Sequence, residues 1–238
     1  MYIDALLYST AAGLCTFVGA AIVFLKSRLT RRELAFFLGL ASGVMIAVVV
    51  FDLLPSAIGK GDLGGFAIGT AGGCLIIMLS NVIVADKQVN SGRSMARLGY
   101  LIMLGIALHD LPEGMAIALG NEVGHKTAAV IALGIGIHNM PEGMAIAAPL
   151  LMSGIRKRKI ALQTLALGAI TPLGTVIGNV AVSALPGYFG LFMGVAGGVM
   201  LYLVISQLWP EAQRSASLWR FPGLAAGIVL IFCATFVF

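Results

Sequence analysis

The sequence predicts an all-α integral membrane protein of eight transmembrane helices in a 3+2+3 arrangement. Helices 1–3 and 6–8 form an inverted repeat around a central pseudo-symmetric pair, helices 4 and 5. Three observations carry this prediction: the composition, the length of the apolar runs, and two internal matches at fixed offsets. Of 238 residues, 59% are hydrophobic and 11% charged, with mean hydropathy +1.01. A soluble domain holds about 25% charged and roughly 45–50% apolar residues. A water-soluble globule and a disordered tail are both excluded. The length accommodates eight spans of about 20 residues with short loops, and residues 1–238 read as a single transmembrane domain.

The first apolar run, 4–25, begins at Asp4 without a basic stretch or a small-residue cleavage site. It reads as a retained span and not a removed signal peptide. Further runs follow at 33–58, 63–85, 98–120, 127–153, 160–185, 187–208 and 219–238. Connections after spans one, three and five hold Lys26, Arg28, Arg31 and Arg32, then Lys87, Arg93 and Arg97, then Arg156, Lys157, Arg158 and Lys159. With Arg214 and Arg220 after span seven, these are thirteen of the fifteen Lys and Arg, and the opposite loops keep only Lys60 and Lys126. By the positive-inside rule both termini face outward. The net charge of +5 is therefore a topology signal, and no nucleic-acid partner is expected. Short loops and compactness suggest a bacterial inner membrane. Cys15, Cys74 and Cys233 lie inside apolar runs and are odd in number, so they read as small buried hydrophobes. The 31 glycines read as close helix packing, and His125 as a solvated loop residue.

Residues 39–57 align with 194–212 at an offset of 155, and nine of the 19 positions are identical. The same offset pairs Gly13 with Gly168, Thr16 with Thr171 and Gly19 with Gly174, and also Phe66 with Phe221, Gly72 with Gly227 and Leu75 with Leu230. Spans 1–3 thus recur as spans 6–8. The first copy starts outside and the second inside, so the repeat is inverted. Between them HDLPEGMAIA (109–118) matches HNMPEGMAIA (138–147) at eight of ten positions. Inverted repeats around mid-membrane polar sites are the layout of many secondary transporters.

Polar residues inside a span are costly, about +2.5–3.5 kcal/mol for Asp at a helix centre. His109, Asp110, Glu113, His138 and Glu142 all fall in spans four and five. Helical spacing places His109 over Glu113 and His138 over Glu142. Asp110 and Asn139 stand beside them. Pro112 and Pro141 lack an N–H and displace the carbonyls of Leu108 and Ile137, which predicts kinks. Gly114 and Gly143 are expected to let the two helices approach closely. Two imidazoles and two carboxylates suit zinc and other borderline divalent ions, and no thiolate is offered for copper(I). Asp110 and Asn139 supply a second, harder oxygen site with bridging glutamates. Two other readings stand beside this one: protonated carboxylates that merely dock the helices, and an intramembrane metal-dependent hydrolase using the same ligands. The hydrolase lacks an HExxH motif, and a di-iron oxidase needs more than the three histidines present.

The pair HDLPEG and HNMPEG, in the fourth and fifth of eight spans, resembles the ZIP (Zrt-/Irt-like) family of divalent-metal transporters. The resemblance implies uptake of Zn2+, Fe2+, Mn2+ or Cd2+ toward the cytoplasm as substrate, with no catalytic cofactor. It also implies a binuclear site between spans four and five and an elevator-like movement of a transport bundle. Carried over by position, His109, Glu113, His138 and Glu142 form one site, and Asp110, Asn139 and the shared glutamates the other. Some family members carry Asn in the first motif and Asp in the second; here the order is exchanged. Some supply a sixth-span Glu just before Pro-Leu-Gly; here Thr171 stands there. No His-rich loop lies between spans three and four.

Three further residues are pathway candidates. Met45 on span two resembles a family methionine near the metal path, with plain packing as the alternative. Asp52, toward the outer end of that span, is placed to gather cations at an entrance. Glu211, near the inner end of span seven, is placed to receive them at the exit, unless Arg214 and Arg220 simply neutralise it. Expected partners are divalent metal ions and the lipid bilayer, with a homodimer left open.

Overall fold

The computed structural model describes residues 2–26, 28–84, 91–184, 186–215 and 217–236. Lys87 and the predicted span ends at 85, 185 and 238 lie outside the described residues. The described chain is helical, with no strand among the described residues. Its helices are α1 Tyr2–Phe24, α2 Arg31–Val48, α3 Leu54–Gly59, α4 Leu63–Val84, α5 Ser91–Val123 and α6 His125–Met152, then α7 Lys157–Gly168, α8 Ile170–Ala184, α9 Phe189–Leu203, α10 Trp209–Arg214 and α11 Arg220–Phe236. Among the described residues, seven helical segments are long and apolar enough to cross a membrane, and α11 adds a shorter apolar helix of 17 residues.

Local chemistry explains the element ends. Thr30 caps α2: its hydroxyl accepts from the Glu33 N–H at 3.2 Å, while the Glu33 carboxylate accepts from the Thr30 N–H at 2.9 Å. Such a reciprocal cap contributes about 1 kcal/mol. At its far end α2 widens into a π-helical turn, Val49–Leu53, before Pro55 in α3. A second π-helical turn, Val204–Leu208, follows α9 and precedes Pro210 in α10. A proline cannot donate to the preceding turn, and the wider winding accommodates the break. Pro112 and Pro141 lie inside α5 and α6, which run through them as continuous helices.

Packing divides the helices into two interlocked groups. α1 packs on α6, α5 on α8, and α5 and α6 on each other. In the second group α4 packs on α9 and α11 on α2. The groups meet where α5 touches α9 and α6 touches α2. Backbones come into direct contact at glycines. A Cβ at Gly13 would collide with the Gly168 carbonyl, and one at Gly168 with the Gly13 carbonyl. Gly19 stands against Met140 and Gly174 against Leu111 in the same way. The main core includes Leu38, Met45, Ile102, Ile106, Ile146 and Met200. Outward-facing positions are also apolar: Ile3, Leu7, Leu14 and Val18 on α1, and Ile68, Leu75 and Leu79 on α4. An exposed apolar belt of this kind suits hydrocarbon and not water. The protein is a multi-pass membrane protein.

Candidate metal site

α5 and α6 are joined through Gly124 alone, so they fold back on each other and bring their motifs to one level. His109, Asp110, Asn139 and Glu142 are fully buried, and Glu113 and His138 nearly so. The hydrogen bonds run between the helices and not along them. His109 Nε2 lies 3.2 Å from Glu142 Oε2, and His138 Nε2 lies 3.1 Å from Glu113 Oε2. The i,i+4 spacing does place each histidine on the face of its own glutamate, but each imidazole pairs with the glutamate of the other motif. One ligand atom each from His109, Asp110 and Glu113 lies within 4.8 Å of the others.

These distances suit shared ligation. Two ligands held about 2.1 Å from a tetrahedral zinc ion stand about 3.4 Å apart, close to both His–Glu separations. Glu113 Oε1, Glu142 Oε1, both Asp110 carboxylate oxygens and His109 Nδ1 are buried without a hydrogen-bond partner. Each such group costs about 1–3 kcal/mol unless something compensates it. A helix-docking cluster would satisfy its own acceptors. This one leaves four carboxylate oxygens open.

Asp110 and Asn139 differ although they occupy equivalent positions. Asn139 Nδ2 donates to the Ala12 carbonyl at 3.1 Å, tying α6 to α1. Asp110 has no donor to offer, and its Oδ1 lies 3.5 Å from His109 Nε2, beyond good hydrogen-bond length. The motif glycines also act differently from the sequence expectation. Gly114 abuts the Thr171 carbonyl of α8, and Gly143 the Thr16 carbonyl of α1. They bring the flanking helices in, and not α5 and α6 toward each other. A Cβ on either would meet a backbone oxygen that cannot move aside. Thr171, buried at 0% exposure, has an unpartnered hydroxyl.

A cavity of about 820 Å³ reaches this cluster, lined by Glu113, His138, Asp52, Thr235 and, toward the α5–α6 turn, Thr127 and Val123. A second pocket of about 250 Å³ is lined by Arg97, Gln207, Glu211 and Arg214, among others. Arg97 and Val123 stand about 39 Å apart along α5, so the two openings lie at opposite ends of that helix. Met45 is fully buried in the core and is not among the cavity-lining residues. Glu211 accepts a long contact from Arg214 Nη1 at 3.4 Å. His125, at the α5–α6 turn, pairs with Asp4 at 3.5 Å on the surface. The cysteines are free.

Sequence reasoning missed two supporting hydroxyls. Thr175 Oγ1 donates to the Gly114 carbonyl at 2.9 Å, and Thr235 Oγ1 to Asp52 Oδ1 at 2.7 Å. Thr175 could have been found as the i+4 neighbour of Thr171. No spacing rule links Asp52 to a residue 183 positions away.

Comparison with known proteins agrees with this chemistry. A family profile described as ZIP zinc transporter matches residues 84–235. A protein named zinc transporter ZupT from Stenotrophomonas maltophilia is 32% identical, over 89% of this chain and 87% of its own. Its namesake in Xanthomonas axonopodis is 33% identical over 89% and 86%. The one in Corynebacterium glutamicum is 32% identical over 95% and 96%.

Proposed function

Because this chain belongs to the ZIP zinc-transporter family and is a transporter rather than an enzyme, we propose that it carries Zn2+ into the cytoplasm through the buried His/Glu cluster between α5 and α6. Membership in the family removes the intramembrane hydrolase alternative. The carrying observation is the cross-paired cluster itself: two His–Glu pairs and four unpartnered carboxylate oxygens, reached by one cavity at Glu113 and His138. A divalent cation enters through that cavity and exchanges water for imidazole nitrogen and carboxylate oxygen. Beside the His–Glu pairs, both Asp110 carboxylate oxygens and Asn139 Oδ1 are buried without a hydrogen-bond partner, which supports a binuclear reading with one mixed N/O site and one oxygen-rich site. Mixed ligation holds the ion loosely enough to release it, unlike a closed thiolate cage. Fe2+, Mn2+ and Cd2+ meet the same ligands and compete.

The proposal extends to architecture. An inverted repeat relating α1–α4 to α7–α11 is supported by the two π-helical turns, which fall 155 residues apart and precede Pro55 and Pro210. It is supported also by the glycine contacts: Gly143 on Thr16 corresponds to Gly114 on Thr171, and Gly19 on Met140 to Gly174 on Leu111. For α4 and α11 the contacts correspond at 154 rather than at the sequence offset of 155. Gly73 meets Val195 as Gly227 meets Leu40, whereas Gly72 meets nothing. An elevator motion would slide the α1, α5, α6, α8 group against the α2, α4, α9, α11 group. With the termini outside, the large cavity opens outward and the small pocket inward.

The test is zinc uptake into proteoliposomes by the wild type, by a His109→Ala/His138→Ala double variant and by Glu142→Ala. Uptake in the wild type that both variants lose is the expected result. A wild type that moves no divalent ion would sink the proposal.

A further inference from the structure

We propose that Asp52 and Thr235 form a separate staging site for a divalent cation in the large cavity, with Thr235 positioning the Asp52 carboxylate. The inference rests on the transport reading above. Asp52 sits in the π-helical turn after α2, and Thr235 in the last turn of α11, so the site is built from the helix group opposite the central cluster. Thr235 donates its hydroxyl proton to Asp52 Oδ1, which leaves Oδ2 and the hydroxyl oxygen lone pairs free to face an ion. None of the ion pairs among the described residues involves Asp52.

Two independent observations tie this carboxylate to a ligand. The cavity it lines is also lined by Glu113, whose buried Oε1 has no hydrogen-bond partner, and by His138. An ion held at Asp52 therefore shares one continuous space with the central cluster. The corresponding position of the other π-helical turn, Gln207, lines the small pocket and presents a neutral amide among Arg97 and Arg214. The small mouth's carboxylate, Glu211, stands one turn further on and is engaged by Arg214, whereas Asp52 occupies the π-helical turn itself. Its hard oxygens suit a partly hydrated divalent ion, before the imidazoles replace more of its water. Lys60, exposed at the same mouth, carries the opposing charge. The hydroxyl of Thr235 fixes the Asp52 carboxylate through its 2.7 Å hydrogen bond.

Initial rates of zinc uptake by the full chain in proteoliposomes test this directly. Asp52→Asn and Thr235→Val are each expected to raise KM about fivefold with Vmax within about twofold, the signature of lost capture without a lost transport step. Thr235→Ser, which keeps the hydroxyl, is expected to restore the wild-type KM. An unchanged KM in both variants overturns the staging site. So does a fall in Vmax at constant KM, or failure of Thr235→Ser to rescue, since either assigns Thr235 to helix packing. Wild-type vesicles that take up no zinc would overturn the transport reading itself. Active wild-type vesicles with normal capture in the variants would remove the staging site alone.

Discussion

The two motif halves, HDLPEG on α5 and HNMPEG on α6, are almost the same sequence but do different work. Their histidines and glutamates exchange partners across the helix pair, at 3.2 and 3.1 Å, and are near-equivalent. Their second positions are not. Asn139 donates to the Ala12 carbonyl and so fastens α6 to α1. Asp110, lacking an N–H, leaves two oxygens open and buried. Asn139 commits its amide N–H to structure and keeps only Oδ1 open, whereas both oxygens of Asp110 are open. In place of the amide bond, α5 is tied to α8 by Thr175 on the Gly114 carbonyl, and the corresponding position on α1 is Ala20. One amide nitrogen in place of a carboxylate oxygen thus adds an anchor on a shared framework.

The largest effect should come from breaking either crossed pair. His109→Ala and His138→Ala each strand a buried carboxylate, a loss of about 3–5 kcal/mol when a buried pair is broken. Both should abolish most zinc uptake, and to a similar degree. A large inequality in uptake rate would show that the histidines are not equivalent. Next comes the position where the halves differ. Asp110→Asn should weaken zinc binding by about 10–100-fold, measured by calorimetry. Asn139→Ala should lower stability by about 1 kcal/mol through loss of the hydrogen bond to the Ala12 carbonyl and change affinity far less. Reversal of that order would mean that Asn139 is the ligand and Asp110 the anchor.

Gly114→Ala and Gly143→Ala probe what the halves share. Each forces a methyl group against a carbonyl of a flanking helix, and overpacking of this kind costs about 1–3 kcal/mol. Thermal unfolding in detergent should show similar losses for the two. The smallest effect belongs to Thr175→Val, which removes one hydroxyl bond worth about 1 kcal/mol. It sharpens the comparison because α6 has no corresponding bond to lose.

Much of the candidate site was legible because its residues are out of place by solvent. Five ionisable or imidazole groups in apolar helices require compensation, and helical periodicity puts them on shared faces. Spacing along one helix identifies a face but not the rotamer or the partner across it. The crossed His–Glu pairing was therefore unreadable. Gly114 and Gly143 show the same limit. Small residues mark close approach, yet which helix approaches depends on the packing of the whole bundle. Met45 stood out in the repeat and is buried among apolar side chains.

What the amino-acid order dictates here is what water and hydrocarbon can sort without tertiary contacts. It sets which segments are helical and apolar enough to enter a bilayer, where the basic loops fall, and that the polar motifs must be matched by something. The fold had to supply the rest. It set the exchange of glutamates between histidines, the divergence of Asp110 from Asn139, and the meeting of Asp52 with Thr235. Each depends on distances of about 3 Å between helices remote in sequence, and hydrogen bonds at that range are lost within a fraction of an ångström. Hydropathy acts over whole helices and survives such errors; partner choice does not.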